Sequence, residues 1–155
     1  MLREKIIVER TAWIRKMMEG VRTLPLDSYQ SFLSDPRNAA SAESYLRRGL
    51  EALMDLGRHV LAKGFGKAVA EYKEIPKELH RNGVLQEAEA KLMRELAGYR
   101  NRMVHFYDEV TTEELYHICH DQLGDVERIL AAILEWIGLH PDLVDRSLLK
   151  KNIIS

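Results

Sequence analysis

Residues 39–64 read AASAESYLRRGLEALMDLGRHVLAKG, and their spacing decides the fold class. Leu46, Leu50, Leu53 and Val60 recur at intervals of three, four and seven, with Leu61 beside them. At about 100° per residue they form one apolar stripe on a helix over roughly residues 38–63. Ser34 or Asp35 can cap its start, with Pro36 near the first turn, and Gly64 and Gly66 stop it.

The same periodicity extends in both directions. Ile6, Ile7, Trp13, Ile14, Met17 and Met18 mark a helix over about 2–20, ended by Gly20 and Pro25. Residues 27–36, DSYQSFLSDP, are turn-like. A third helical segment over about 69–82 points Tyr72, Ile75 and Leu79 inward. Pro76 there demands a kink or a late start, and Asn82-Gly83 ends it. A fourth helix covers about 86–106. A fifth covers about 112–138, with Leu115, Ile118, Val126, Leu130, Ile133 and Ile137 facing inward. Thr111 or Thr112 can cap the fifth, and Thr111 with Glu114 makes a capping box. No stretch alternates with a two-residue period between hairpin signals, so no sheet is expected. The expectation is an all-α, up-and-down bundle of four to five helices over residues 1–138, with 139–155 as a C-terminal tail.

Composition narrows the function. The 155 residues carry 23 Lys+Arg against 24 Asp+Glu, a formal net charge of −1. A globally basic nucleic-acid binder is thereby excluded, and any RNA contact must come from a local patch. The single cysteine, Cys119, rules out an intrachain disulfide. MLREKIIVER lacks the apolar core of a signal peptide. No apolar run approaches a membrane span, so a cytoplasmic protein without membrane contact is expected. Phosphate-loop, dinucleotide-fold and nucleophile-elbow glycine motifs are absent, so no cofactor is expected.

The fourth helix breaks its own pattern in YRNRMVHFY, residues 99–107. Leu92, Leu96, Tyr99, Met103 and Phe106 form a seam, widened by Met93, Ala97 and Val104. Arg100 falls inside that widened arc, and Tyr107 lies seven residues on, nearly above it. Asn101 and His105, spaced i, i+4, point to the polar side with Arg94 and Arg102. A buried guanidinium costs several kcal/mol unless paired and hydrogen-bonded. Either an acidic residue meets Arg100 inside the bundle, or its arc faces a cleft or a second protomer.

Two uses of these residues remain open from spacing alone. Cations near a helix C-terminus gain about 0.3–1 kcal/mol each from the dipole and can simply decorate it. Alternatively, Arg100 offers a rigid fork for a phosphate, and His105 can exchange a proton near neutrality. With Asn101 to orient the site, these groups suit metal-free RNA cleavage. Arg94 and Arg102, with Lys91, make a modest patch for RNA phosphates. His117, Cys119 and His120 in HICH are weaker candidates. The two histidines share a face but Cys119 points elsewhere, and one helix cannot supply a closed tetrahedral metal site. No metal is expected, and His59 and His80 are expected to be surface or packing residues.

RNRMVHFY resembles the R-x4-H-x-Y signature of the HepT branch of the HEPN superfamily of helical ribonucleases and nucleotide-binding domains. KIIVERTAWIRKMMEGV is similar to that family's first helix, and AASAESYLRRGLEALMDLGRHVLAKG to its second. EYKEIPKELHRNGVL resembles its short middle helix and the turn before the motif helix. The resemblance covers roughly residues 1–138. It implies a HEPN-like helical bundle in a two-fold homodimer, and the toxin of a type VII-like toxin–antitoxin module. The implied activity is a metal-independent endoribonuclease acting by 2′-OH attack on RNA. Arg100 and His105 would be catalytic, and Asn101 would orient the site. The implied partner is a minimal nucleotidyltransferase antitoxin of the MntA type, which silences the toxin by AMPylation of Tyr107, within a homodimer or a larger complex. The alternative is a non-catalytic HEPN subunit that presents a substrate or nucleotide to a nucleotidyltransferase.

Overall fold

The computed structural model describes residues 1–105 and 109–146. Among them the order is β1 (Leu2–Arg3), α1 (Glu4–Arg22), α2 (Tyr29–Leu33), α3 (Pro36–Phe65), α4 (Glu74–Arg81), α5 (Glu87–Val104), α6 (Thr112–Asp121), α7 (Leu123–Gly138) and β2 (Val144–Asp145). A single 3₁₀ turn, Pro141–Leu143, precedes β2. The fold is all-α, as the periodicity requires.

α3 is the spine. Asp35 caps it by accepting from the Arg37 amide at 2.9 Å, and Pro36 occupies its first turn. Gly66 closes it in the left-handed region at φ 65°, with its amide donating to Ala62 O and that of Lys67 to Leu61 O. That conformation suits glycine because it has no Cβ to clash. Leu46, Leu50, Leu53, Val60 and Leu61 of the expected stripe are all fully buried.

Close approach sets how the other helices meet this spine. Gly49 faces Met17 and Met18 of α1, and Gly20 faces the Tyr45 ring. The Arg3 amide donates to His59 Nε2 at 3.0 Å, so α1 runs antiparallel to α3. A Cβ on Gly57 would lie 2.8 Å from Ile75, 3.1 Å from Leu79 and 3.3 Å from Met93. α4 and α5 are thus both seated at one point on α3. α7 closes the bundle, with Trp136 against Phe65 at a centroid distance of 5.3 Å and Glu127 paired with Arg15 at 3.0 Å.

Four expectations change. DSYQSFLSDP contains a helix, α2, because Ser28 caps it through the Ser31 amide and Phe32 is buried against Tyr116. The expected fifth helix is two, α6 and α7, separated at Gln122 (φ −115°, ψ 5°). The break lets α6 pack on α2 and α3 while α7 turns toward α5 and α1. The absence of any sheet does not hold: β1 and β2 pair in parallel, Leu2 with Val144 and Arg3 with Asp145. Two-residue strands are too short to show alternation, and the partners lie at opposite ends of the described chain. Lastly, the buried line of α5 runs through Ala90, Met93, Leu96 and Ala97, while Leu92, Tyr99 and Met103 are only partly buried and Val104 is 50% exposed. Insertion of Met93 at Gly57 rotates the helix away from the expected seam.

The late start expected near Pro76 is found, since α4 begins at Glu74 and Pro76 sits in its first turn, where no amide is needed. The Thr111–Glu114 capping box also forms.

Overpacking tests the Gly57 contact. Gly57→Val should cost about 2 kcal/mol, lowering the thermal midpoint by roughly 4–8 °C at this chain length, as read by circular dichroism. An unchanged midpoint would mean that α4 and α5 do not meet α3 there.

Candidate functional site

Arg100 lies three residues after Ala97 and seven after Met93, so it continues the buried line of α5 into the last turn of the helix. Its side chain is 22% exposed, and the partner it needed is Glu51 of α3, whose Oε1 lies 3.5 Å from Arg100 Nε. The approach is an ion pair without hydrogen-bond geometry, because that buried Nε makes no hydrogen bond among the described residues. Glu51 Oε1 is more closely engaged by Arg47 Nη1, at 3.1 Å. Arg100 Nη1 donates to Asn101 Oδ1 at 3.3 Å. Its guanidinium carbon lies 4.5 Å from the centroid of the Tyr72 ring, a cation–π contact that holds the plane of the fork without consuming its donors.

Tyr72 is itself fixed by Arg58. Arg58 Nε donates to Val69 O at 2.9 Å and Nη2 to Ala70 O at 2.8 Å. Its guanidinium carbon lies 5.0 Å from the Tyr72 centroid. Arg58 thereby braces the non-helical segment between Gly66 and Lys73 against α3. Burial first, and then the Asp55 carboxylate, push the Tyr72 phenol above its ordinary value, against the opposing Arg100 charge. The ring stays neutral near pH 7.

Two clefts adjoin along this face. One, about 430 Å³, is lined by Arg58, Ala70, Glu71, Tyr72, Lys73, Arg100, Asn101 and His105. The other, about 560 Å³, is lined by Lys73, Glu95, Gly98, Tyr99, Asn101, Arg102 and His105. Lys73, Asn101 and His105 border both. His105 ends α5: its backbone is extended (φ −90°, ψ 120°), and its amide still donates to Asn101 O at 3.1 Å. The structure therefore brings Arg100, Asn101 and His105 to one cleft. Such an arrangement can bind an anion at Arg100 beside an exposed imidazole.

Arg94 and Arg102 sit differently. Arg94 lines neither cleft and lies 3.6 Å from Glu87. Arg102 reaches the second cleft, but its fork is closed on Glu114, at 2.7 and 3.0 Å, and on Glu109 O at 3.2 Å. Tyr107, and Phe106 of the expected seam, lie outside the described residues. In HICH, burial pushes the Cys119 thiol up to about 12, which makes it a poor nucleophile. His120 Nδ1 lies 2.6 Å from Asp121, and no group of three or more metal-binding side chains occurs among the described residues. His59 accepts the Arg3 amide, and burial, then the Lys63 charge, hold its pKa down. Among the described residues, no helix is long and apolar enough to cross a membrane.

Arg58, Tyr72 and Lys73 escape a reading based on helical stripes. The spacing predicts Tyr72 as an inward-facing helix residue, whereas it lies ahead of α4 and lines a cleft. One signal was present: Arg47, Glu51, Asp55 and Arg58 follow at intervals of four, four and three on one face of α3, a polar track beside an apolar stripe.

A family model described as ribonuclease HepT-like matches residues 12–133. The chain belongs to the HepT-like family. No curated protein matches it in sequence. Solved structures match this HepT-like chain closely in fold. A tri-AMPylated HEPN toxin of Shewanella oneidensis, in complex with MNT antitoxin, superposes with a TM-score of 0.76 at 21% identity, covering 84% of this chain and 97% of that one. A mutant MntA–HpeT toxin–antitoxin gives 0.75 at 20% identity, covering 84% and 98%. YutE, a cytosolic protein of Bacillus subtilis, gives 0.72 at 16%, covering 86% and 90%. At these identities the likeness establishes the HEPN fold of the HepT-like chain.

The Arg102–Glu114 pair makes a pH-dependent tie between α5 and α6. Arg102, mainly through its hydrogen bond, lowers the Glu114 carboxyl below its ordinary 4.5. A depressed folded value means that the stabilisation is full above the ordinary pKa and fades as pH falls through the lowered one. Both side chains are more than a third exposed, so screening limits the pair to at most about 1 kcal/mol. Carbon-detected NMR titration should place Glu114 below 4.5, and Arg102→Gln should move it upward. An identical midpoint in both proteins would refute the tie.

Proposed function

We propose that this chain is a metal-independent endoribonuclease toxin, acting as a homodimer. The observation that carries it is the convergence of Arg100, Asn101 and His105 on one cleft at the end of α5, in a HepT-like family member. In the proposed reaction a ribose 2′-oxygen attacks the adjacent phosphorus. The 2′-oxygen loses its proton, the P–O5′ bond breaks, and a 2′,3′-cyclic phosphate and a 5′-hydroxyl result. Arg100 stabilises charge on the non-bridging oxygens, and its restraint by Tyr72 lowers the reorganisation needed. His105, exposed at the helix end, transfers a proton to or from the reacting oxygens. Asn101 orients the Arg100 fork through its side-chain oxygen.

Purified protein should cleave single-stranded RNA in the presence of EDTA. Arg100→Ala and His105→Ala should each lower the rate by about 10²–10⁴-fold, and expression of the wild type alone should arrest growth. Intact RNA together with growth arrest by neither wild type nor variants would leave a non-catalytic binding subunit as the surviving function.

The partner in this proposal is an MntA-type nucleotidyltransferase that transfers AMP from ATP to the Tyr107 hydroxyl, releasing pyrophosphate. The Shewanella toxin of the same fold is tri-AMPylated and bound to an MNT antitoxin, which supports that pairing. Arg94, outside both clefts, and Arg102 are proposed as outer contacts for RNA phosphates, each exchanging its present carboxylate, Glu87 or Glu114, for the strand. Intact-mass spectra with the partner and ATP should show a gain of one or more AMP groups that Tyr107→Phe abolishes. A gain that survives the substitution would place the modification elsewhere.

A further inference from the structure

The cations around the two clefts are unequally committed. Arg100 is held by Glu51, Asn101 and Tyr72. Arg58 is held by Val69 O, Ala70 O and Asp55. Arg102 is closed on Glu114 and Glu109 O. Lys73 borders both clefts, and no ion pair or hydrogen bond engages its ammonium among the described residues. It is exposed, yet the Arg58 brace fixes the backbone just ahead of it. An ammonium that no carboxylate engages, at the junction of two clefts that Glu71 and Glu95 also line, is placed to take an anion from outside.

Gly98 gives an independent indication. A glycine inside a helix costs about 1 kcal/mol relative to alanine, so its position in α5 asks for a reason. At Gly49 and Gly57 the reason is steric, since a Cβ would collide with a neighbouring helix. At Gly98 it is not. A Cβ there would meet only the Lys73 Cε, at an ordinary 3.7 Å. Its φ also lies in the normal helical range, because the positive-φ glycines are Gly66 and Gly83. Gly98 lines the second cleft with Tyr99, and a side chain longer than a methyl there would take the space beside the Lys73 stem.

We infer that Lys73 and Gly98 form a nucleotide subsite next to the Arg100–His105 centre, taking the phosphodiester and nucleoside that flank the scissile phosphate in a single RNA strand. The inference rests on the ribonuclease proposal for its substrate. Scissile phosphate at Arg100 and flanking phosphate at Lys73 would be linked past Asn101 and His105, which line both clefts. The second cleft, about 560 Å³, has the capacity of a small-ligand pocket. Glu95 also lines it and lowers the net positive charge there, so the pull on the strand comes from Lys73. A duplex would hold its bases stacked inside, whereas a single strand can turn one outward into a shallow cleft beside an aromatic ring.

The test uses a 2′-O-methyl RNA hexamer, which binds but lacks the attacking hydroxyl. Its affinity for the purified protein is measured by fluorescence anisotropy across a salt series. Lys73→Gln should weaken binding about tenfold and reduce the salt slope by about 0.7, the loss of one phosphate contact. Gly98→Leu should weaken binding to a similar extent with the slope nearly unchanged, because it fills that space without removing a charge. Lys67→Gln, on the same segment but paired with Glu78 and outside both clefts, is the control and should bind as wild type. Wild-type affinity and slope in both Lys73→Gln and Gly98→Leu would overturn the subsite, whatever the enzyme does to RNA. Weakened binding in both, with wild-type protein that leaves ordinary RNA uncut, would uphold the subsite and overturn the ribonuclease proposal instead.

Discussion

The contact at Gly57 governs the geometry on which the site depends. There the backbone of α3 receives Ile75 and Leu79 from α4 and Met93 from α5 at distances that leave no room for a side chain. A helix seated on a neighbour at one point is also fixed in height and rotation along its length, because interiors pack at crystal-like density. Two turns of α5 beyond Met93 stands Arg100, and about two turns of α3 before Gly57 stands Glu51. Their meeting follows from that seat. The start of α4 is set by the same contact, and with it the Tyr72 ring just upstream.

Arg100 shows how a partly buried charge becomes available for chemistry. A tight bidentate carboxylate would satisfy the guanidinium and also occupy it. Glu51 instead stands 3.5 Å from Nε and shares its oxygen with Arg47. A ring face holds the plane, and an amide oxygen takes one hydrogen. The charge is compensated enough to be tolerated and not enough to be consumed. Arg102, two residues on, shows the opposite solution, with its fork closed on Glu114 at 2.7 and 3.0 Å.

Much of this was legible in residues 39–64 and 99–107, for a physical reason. Apolar stripes and capping chemistry are local, so α1, α3 and α5 could be read to within a few residues. The cap of α3 and the stops of α3 and α4 were legible too, whereas α1 runs past Gly20 to Arg22 and α4 starts only at Glu74. The demand that Arg100 find an acid or a cleft follows from the cost of burying a charge, and both are present. The identity of that acid was not legible, because Glu51 comes from another helix. Neither was Tyr72, whose role depends on a non-helical segment pinned by side chain to main chain hydrogen bonds from Arg58. The split at Gln122 was hidden because α6 and α7 carry one compatible period and differ only in the neighbours they meet.

The short pairing of Leu2 with Val144 has a consequence for the order in which the molecule assembles. The α1–α3 and α3–α5 contacts join elements near in sequence, so their loops close at modest entropic cost. The strand pair joins positions at the two ends of the described chain, and in an unfolded coil its closure is opposed by the largest loop entropy in the fold. It becomes favourable only once α1, α3 and α7 have brought those ends together, so it forms late. Two ladder residues hold little free energy by themselves, so the pairing is kept by the burial of Leu2 and Val144 in the core, by the Arg3 amide on His59 and by the Arg146–Glu4 pair. The bundle thus completes its assembly by tying the start of α1 to the segment after α7, once the seat at Gly57 and the cleft beside it are already in place.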